Sequence, residues 1–144
     1  MGTPFSDIYN LFLSQIKDYE LALMEETVLE ENLKLWLMSA IPFFHCCKKN
    51  LDKMDKVLST FDEELSNNEQ FILAKYMTYS YVSTFLLREE NLSQALNSKD
   101  YRMYSPANQL KALQALCEHI KREGSVLQSQ YSWNPNSIKE LFKR

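Results

Sequence analysis

Glycine is almost missing from this chain: of 144 residues, only Gly2 and Gly124. Two glycines and four prolines leave few turn positions, which argues against an all-β architecture, because sandwiches and barrels need turn residues at short intervals. The same scarcity excludes a phosphate-cradling loop, in which several glycines let the backbone approach the anion. The three cysteines, Cys46, Cys47 and Cys117, are few and odd in number. That suits free thiols in a reducing compartment rather than a disulfide framework. No apolar run approaches the length of a membrane span, and no basic stretch leads into an apolar core near position 1. A dense Lys/Arg run is also missing, which disfavours nucleic-acid binding.

What is present points to helix. Apolar residues make up 45% and charged residues 24% of the chain, an ordinary balance for a soluble globular protein. Leu, Met, Lys, Glu and Gln, all good helix formers, are abundant. The length suits one domain, burying roughly two-thirds of the surface the unfolded chain exposes.

Charge is unevenly spread. Residues 1–72 carry six basic and thirteen acidic side chains, whereas residues 73–144 carry ten and six. The densest acid, between positions 18 and 31, has six carboxylates and no Lys or Arg. Opposite charge on two halves permits head-to-tail association of copies. Two solvated helix faces of opposite sign explain the same numbers without function.

The apolar spacing predicts an all-α, four-helix bundle-like domain over residues 1–132 and a C-terminal extension over 133–144. A first helix is expected from position 4 to about 19, capped by Thr3 and burying Phe5, Ile8, Phe12 and Ile16. A second, read as the central one, spans about 26–47, with Leu29, Leu33, Leu37, Ala40, Phe44 and Cys47 on one face. Thr27 is an alternative cap, and Pro42 should kink or divide this helix near residue 41. Positions 48–65 read as a short helix or an irregular link. Ser66 and Glu69 form a capping box that opens a third helix running to about 88. A helical turn is expected over 91–95. The last long helix starts at Ser105-Pro106 and carries Leu110, Leu113, Cys117, Ile120 and Leu127, with an end or bend expected at Gly124.

Chemistry-bearing clusters are weak. His45-Cys46-Cys47 lie on neighbouring helical positions that point about 100° apart, so they cannot face one zinc ion together. Cys47 and Cys117 read better as small buried hydrophobes, and the two histidines as surface or boundary residues. A Cys–His hydrolase lacks a turn to expose its nucleophile. Glu25, Glu26, Glu30 and Glu31 are paired at helical spacing but lack the Glu-x-x-His partners of a carboxylate-bridged metal centre, and a helix N-terminus favours them without any metal. No cofactor, no metal and no catalytic residue is therefore expected. The stretch Lys99-Asp100-Tyr101-Arg102-Met103-Tyr104 is a polar-aromatic link with more character than a turn needs, and Ile138, Leu141 and Phe142 give the extension an apolar tip. Both read as contact surfaces.

Three segments carry a family resemblance: the opening Thr-Pro-Phe-Ser-Asp-Ile-Tyr, Ser39-Ala40 with the aromatic and Cys run behind it, and Ser98-Lys99-Asp100-Tyr101 continuing to Tyr104-Ser105-Pro106-Ala107-Asn108. Here the chain resembles small proteins encoded in the structural gene clusters of tailed phages and prophages of Gram-positive bacteria. The resemblance implies a non-enzymatic virion component, a head–tail connector or adaptor of the neck, assembled in the host cytoplasm. It implies a ring of copies, often twelve, beneath the portal protein and against a head-completion or tail protein, continuing the channel through which DNA passes. On that view Lys99, Asp100, Tyr101, Arg102, Tyr104, Ile138, Leu141 and Phe142 meet neighbouring subunits, and Glu25, Glu26, Glu30 and Glu31 face the channel. The alternative is a helical adaptor or regulator that binds a partner protein in a groove. Neither reading involves a membrane.

Overall fold

The computed structural model describes residues 2–16, 25–95 and 107–133, and of 89–95 and 107–110 the backbone alone. Four helices follow the apolar periodicity: α1 (Phe5–Gln15), α2 (Glu26–Ala40), α3 (Asn67–Ala95) and α4 (Ala107–Ser132). The all-α expectation holds, with one addition. Three two-residue strands, β1 (Thr3–Pro4), β2 (Met54–Asp55) and β3 (Thr60–Phe61), form a small antiparallel sheet in the order β1–β3–β2.

The sheet changes how the chain opens. Thr3 does not cap α1; it sits in β1 opposite Phe61. Its buried hydroxyl accepts from the Leu65 N–H at 2.7 Å and lies 3.3 Å from the Glu63 carbonyl, to which it donates. The first amide of α1 already has a partner, since the Phe5 N–H donates to the Ser59 carbonyl at 2.8 Å, so the Thr3 hydroxyl satisfies the buried Leu65 N–H instead. Gly2 is required beside this sheet, because a Cβ there would lie 1.7 Å from the Phe61 carbonyl oxygen. The helix starts at Phe5 and stops at Gln15, short of the expected position 19, because Ile16 is extended (φ −113°, ψ 147°). Tyr19 lies outside the described residues.

Pro42 acts as expected. α2 ends at Ala40, and Ile41–Phe43 form a single 3₁₀ turn rather than a continuation to residue 47. Proline cannot supply the N–H that the next helical turn needs. Glu25, not Thr27, stands at the α2 N-cap.

The central element is α3, not α2. Ile72, Leu73, Ala74, Tyr76, Met77, Thr78, Tyr81 and Val82 are all buried, so its middle turns are covered on every side, as a helix packed between others must be. α1, α2 and α4 all pack against it. The capping box is present: the Ser66 N–H donates to Glu69 Oε1 at 2.8 Å and the Glu69 N–H to Ser66 Oγ at 3.2 Å. The helix continues unbroken through the turn expected at 91–95. α1 adds Phe5, Ile8 and Phe12, all fully buried, each worth about 2–3 kcal/mol of transfer free energy. Phe12, Trp36, Tyr81 and Phe85 form one mainly edge-on aromatic cluster, its contacting rings 5.0–5.7 Å apart at their centroids.

Gly124 does not end α4, which runs on to Ser132. A Cβ at this position would lie 2.8 Å from the Tyr76 ring. The glycine is a close approach of α4 to α3 rather than a helix breaker.

Candidate functional site

Strand pairing of β2 with β3 builds a hairpin whose tip is apolar and exposed. Val57 is 92% and Leu58 71% exposed. The tip is held in place from within. Asp55 Oδ1 accepts from both the Val57 N–H (2.9 Å) and the Leu58 N–H (3.0 Å), a side-chain mimic of a turn. Ser59 takes φ 55° to bring the chain back, and its carbonyl accepts from the Phe5 N–H at 2.8 Å.

α2 runs beside this hairpin. Leu33, Leu37 and Ala40 are buried, while Val28, Glu31, Leu35 and Met38 recur on another side, Leu35 being 64% exposed. Lys34 Nζ donates to the Lys56 carbonyl and so fastens the helix to the hairpin. Two clefts meet at Lys34. One, of about 490 Å³, lies among Tyr9, Glu30, Glu31 and Leu58; the other, of about 390 Å³, lies among Glu31, Leu35, Met38 and Lys56. Glu30 and Glu31 are exposed, and among the described residues no cation pairs with either. Glu30 lies four residues before Lys34, the favoured order for a helical ion pair, but that ammonium is engaged by the Lys56 carbonyl. Burial, reinforced by the charge of Glu30, pushes the Tyr9 phenol up to about 12.

A second polar arrangement is structural. Glu69 is only 2% exposed. Besides Ser66, its carboxylate accepts from the Tyr131 hydroxyl at 2.8 Å, and the Cys47 thiol lies 3.5 Å away. Tyr131 in turn accepts from the Lys48 N–H at 3.0 Å. One turn back on α4, Gln128 Nε2 donates to the Phe43 carbonyl (2.7 Å) and the Tyr76 hydroxyl (2.5 Å), and its Oε1 accepts from the Cys46 N–H (3.3 Å). Phe43 stacks on Tyr76 at 5.5 Å. These contacts clasp the α2–α3 link between α3 and the end of α4. Burial pushes the Glu69 pKa up, but the hydrogen bonds from Ser66 and Tyr131 outweigh it and hold the carboxyl below its ordinary value. Burial pushes the Cys47 thiol up to about 11, the opposite of what a nucleophile needs.

The predicted site residues fare unevenly. Glu25, Glu26, Glu30 and Glu31 are exposed on α2 and at its start, as a solvent-facing cluster requires. Lys99, Asp100, Tyr101, Arg102 and Tyr104, the Ser105-Pro106 helix start, and Ile138, Leu141 and Phe142 lie outside the described residues. Cys117 is buried as expected, Cys47 only partly. His45 and His119 are exposed. Among the described residues no group of three His, Cys, Asp or Glu is placed to hold a metal ion, and no helix is long and apolar enough to cross a membrane. The hairpin tip escaped the sequence reading. Its one signal was Asp55 two and three residues before the Val57 and Leu58 amides, an Asx-turn spacing.

Comparison with family models matches residues 86–123 to WHIM1, motif 1 of a set named after WSTF, Itc1p, MBD9 and one further protein. The match covers about a quarter of the chain: the end of α3, the link and α4 as far as position 123. Comparison with curated proteins and with solved structures gives no match. The match overturns the resemblance to phage connectors and, with it, the bacteriophage vocabulary and the placement in a virion neck or a host cytoplasm. The phage resemblance lay in short stretches such as Tyr104-Ser105-Pro106-Ala107-Asn108, where helix-start chemistry alone explains the residues. Without it, the portal neighbour has no support, and the ring and the DNA channel keep only the uneven charge of the two halves and the acidic cluster between positions 18 and 31.

Proposed function

We propose that this chain is a non-catalytic helical adaptor that binds a partner protein through the α2–hairpin face. The observation that carries this reading is that Leu35 on α2 and Val57 and Leu58 on the hairpin, three of the most exposed large apolar side chains, belong to two elements that Lys34 fastens together, with the hairpin tip ordered by Asp55. Exposed apolar groups scattered singly mean little, whereas a pre-ordered cluster marks an interaction surface. The likeness of residues 86–123 to WHIM1 lies elsewhere on the chain and supports a role beside chromatin-associated proteins, with α3–α4 as the shared part.

A photo-reactive residue at Val57 tests the proposal. It should crosslink a discrete protein that a control at exposed Lys111 does not. That protein, purified, should bind the full chain and lose at least tenfold in affinity to Leu35→Asp. Equal affinity for wild type and Leu35→Asp would remove this face from the function.

A further inference from the structure

We infer that the α2–hairpin face takes a cationic amphipathic segment of its partner, a helix with an apolar stripe edged by Lys or Arg; the inference rests on the adaptor reading above. The apolar part of the surface comes first. Leu35 and Met38 on α2 and Leu58 on the hairpin line the two clefts that meet at Lys34, with the Val57 tip beside them. Residues 28, 31 and 35 recur at helical spacing and are exposed, and half-buried Met38 continues the stripe to the edge of the core. Such a stripe beside a raised hairpin suits a helix laid into a groove, read through anchors three and four residues apart.

The charge on the surface decides which helix. Glu30 and Glu31 stand on the walls of the clefts, exposed, with Glu25 and Glu26 one turn or so nearer the start of α2. The cation placed to neutralise Glu30, Lys34, is held by the Lys56 carbonyl instead. The two ammonium groups on the clefts, Lys34 and Lys56, keep their charge and balance Glu30 and Glu31, so the excess of acid on this side comes from Glu25 and Glu26 at the start of α2. An incoming Lys or Arg finds acceptors that the fold leaves unpaired, whereas an incoming carboxylate meets like charge. Charge of this kind selects partners and raises association rates more than it adds affinity.

The test uses the full chain and two fluorescent Leu-rich amphipathic helical peptides, identical except that one carries Lys and the other Glu at its polar positions. Fluorescence anisotropy should show the Lys peptide binding at least tenfold more tightly than the Glu peptide, with the difference shrinking as salt rises. The double variant Glu30→Lys, Glu31→Lys, which alters only exposed side chains, should lose or reverse that preference. Leu35→Asp should weaken the Lys peptide. Equal binding of the two peptides, no binding of the Lys peptide, or an unchanged preference in the double variant overturns the inference. So does sedimentation showing that the face is occupied by a second copy of the chain. If the partner crosslinked at Val57 still depends on Leu35 while the peptides show no preference, the adaptor reading stands and only the cationic assignment falls. If that partner ignores Leu35→Asp, the adaptor reading itself falls.

Discussion

Glu69 is the residue whose chemistry departs furthest from its surroundings. It is a carboxylate buried among helix ends, kept charged by Ser66 and Tyr131. Because its folded pKa is depressed, the stability it contributes is present above the unfolded value and is lost as pH falls through the folded value. Glu69→Gln should therefore lower stability at neutral pH and flatten the acid limb of a stability–pH curve measured by urea unfolding. Glu69→Ala should cost about 1–3 kcal/mol, because it leaves the Tyr131 hydroxyl short of an acceptor. Its neighbour Cys47 should alkylate slowly at neutral pH and faster as pH approaches about 11, followed by mass spectrometry; rapid modification at pH 7 would contradict the burial of this thiol. The capping box was legible in the sequence because Ser66 and Glu69 stand at a fixed spacing. The reach of Tyr131 to Glu69, across 62 positions, was not, since nothing local encodes it.

At the scale of elements, two positions invert ordinary expectation. Gly124 in mid-helix should gain about 1 kcal/mol on conversion to Ala from propensity alone. Instead Gly124→Ala should destabilise by about 1–3 kcal/mol. The new Cβ meets a Tyr76 ring that Phe43 and Gln128 hold still. Thermal unfolding of the two proteins measures the sign. Ser59, at φ 55°, is the converse: Ser59→Gly should raise stability by up to about 1 kcal/mol, because glycine adopts this conformation without steric cost. Helix periodicity and Pro42 were enough to place α1, α2 and the break at residue 41. The strands were not legible, because two-residue strands show no alternation and Thr3 reads equally as a cap or as a strand residue until its partner Leu65 is known.

For the molecule as a whole, α3 is the hub, and the α2–hairpin face carries exposed apolar side chains away from it. The sequence misassigned the hub to α2, because a helix covered all round has no single apolar stripe and so looks weaker in a periodic reading than an amphipathic neighbour. The two regions should respond differently to substitution. Ile72→Ala, in the fully buried middle of α3, should cost about 2–5 kcal/mol. Leu35→Ala should change stability by no more than about 0.5 kcal/mol, checked by urea unfolding, since Leu35 is 64% exposed and adds little to the core. The acidic patch of α2 was visible from the first pass along the chain, but its meaning was not, because the diversion of Lys34 to the Lys56 carbonyl depends on the fold. If the proposal is right, this face, and not the α3–α4 limb matched by WHIM1, receives the cationic helix. Backbone amide chemical shifts, followed while the Lys peptide is titrated into the isotope-labelled full chain, test it most directly. Perturbations should centre on Glu30, Glu31, Leu35, Val57 and Leu58, with α4 unchanged. Perturbations centred on residues 111–130 of α4, or none on the hairpin, would contradict it.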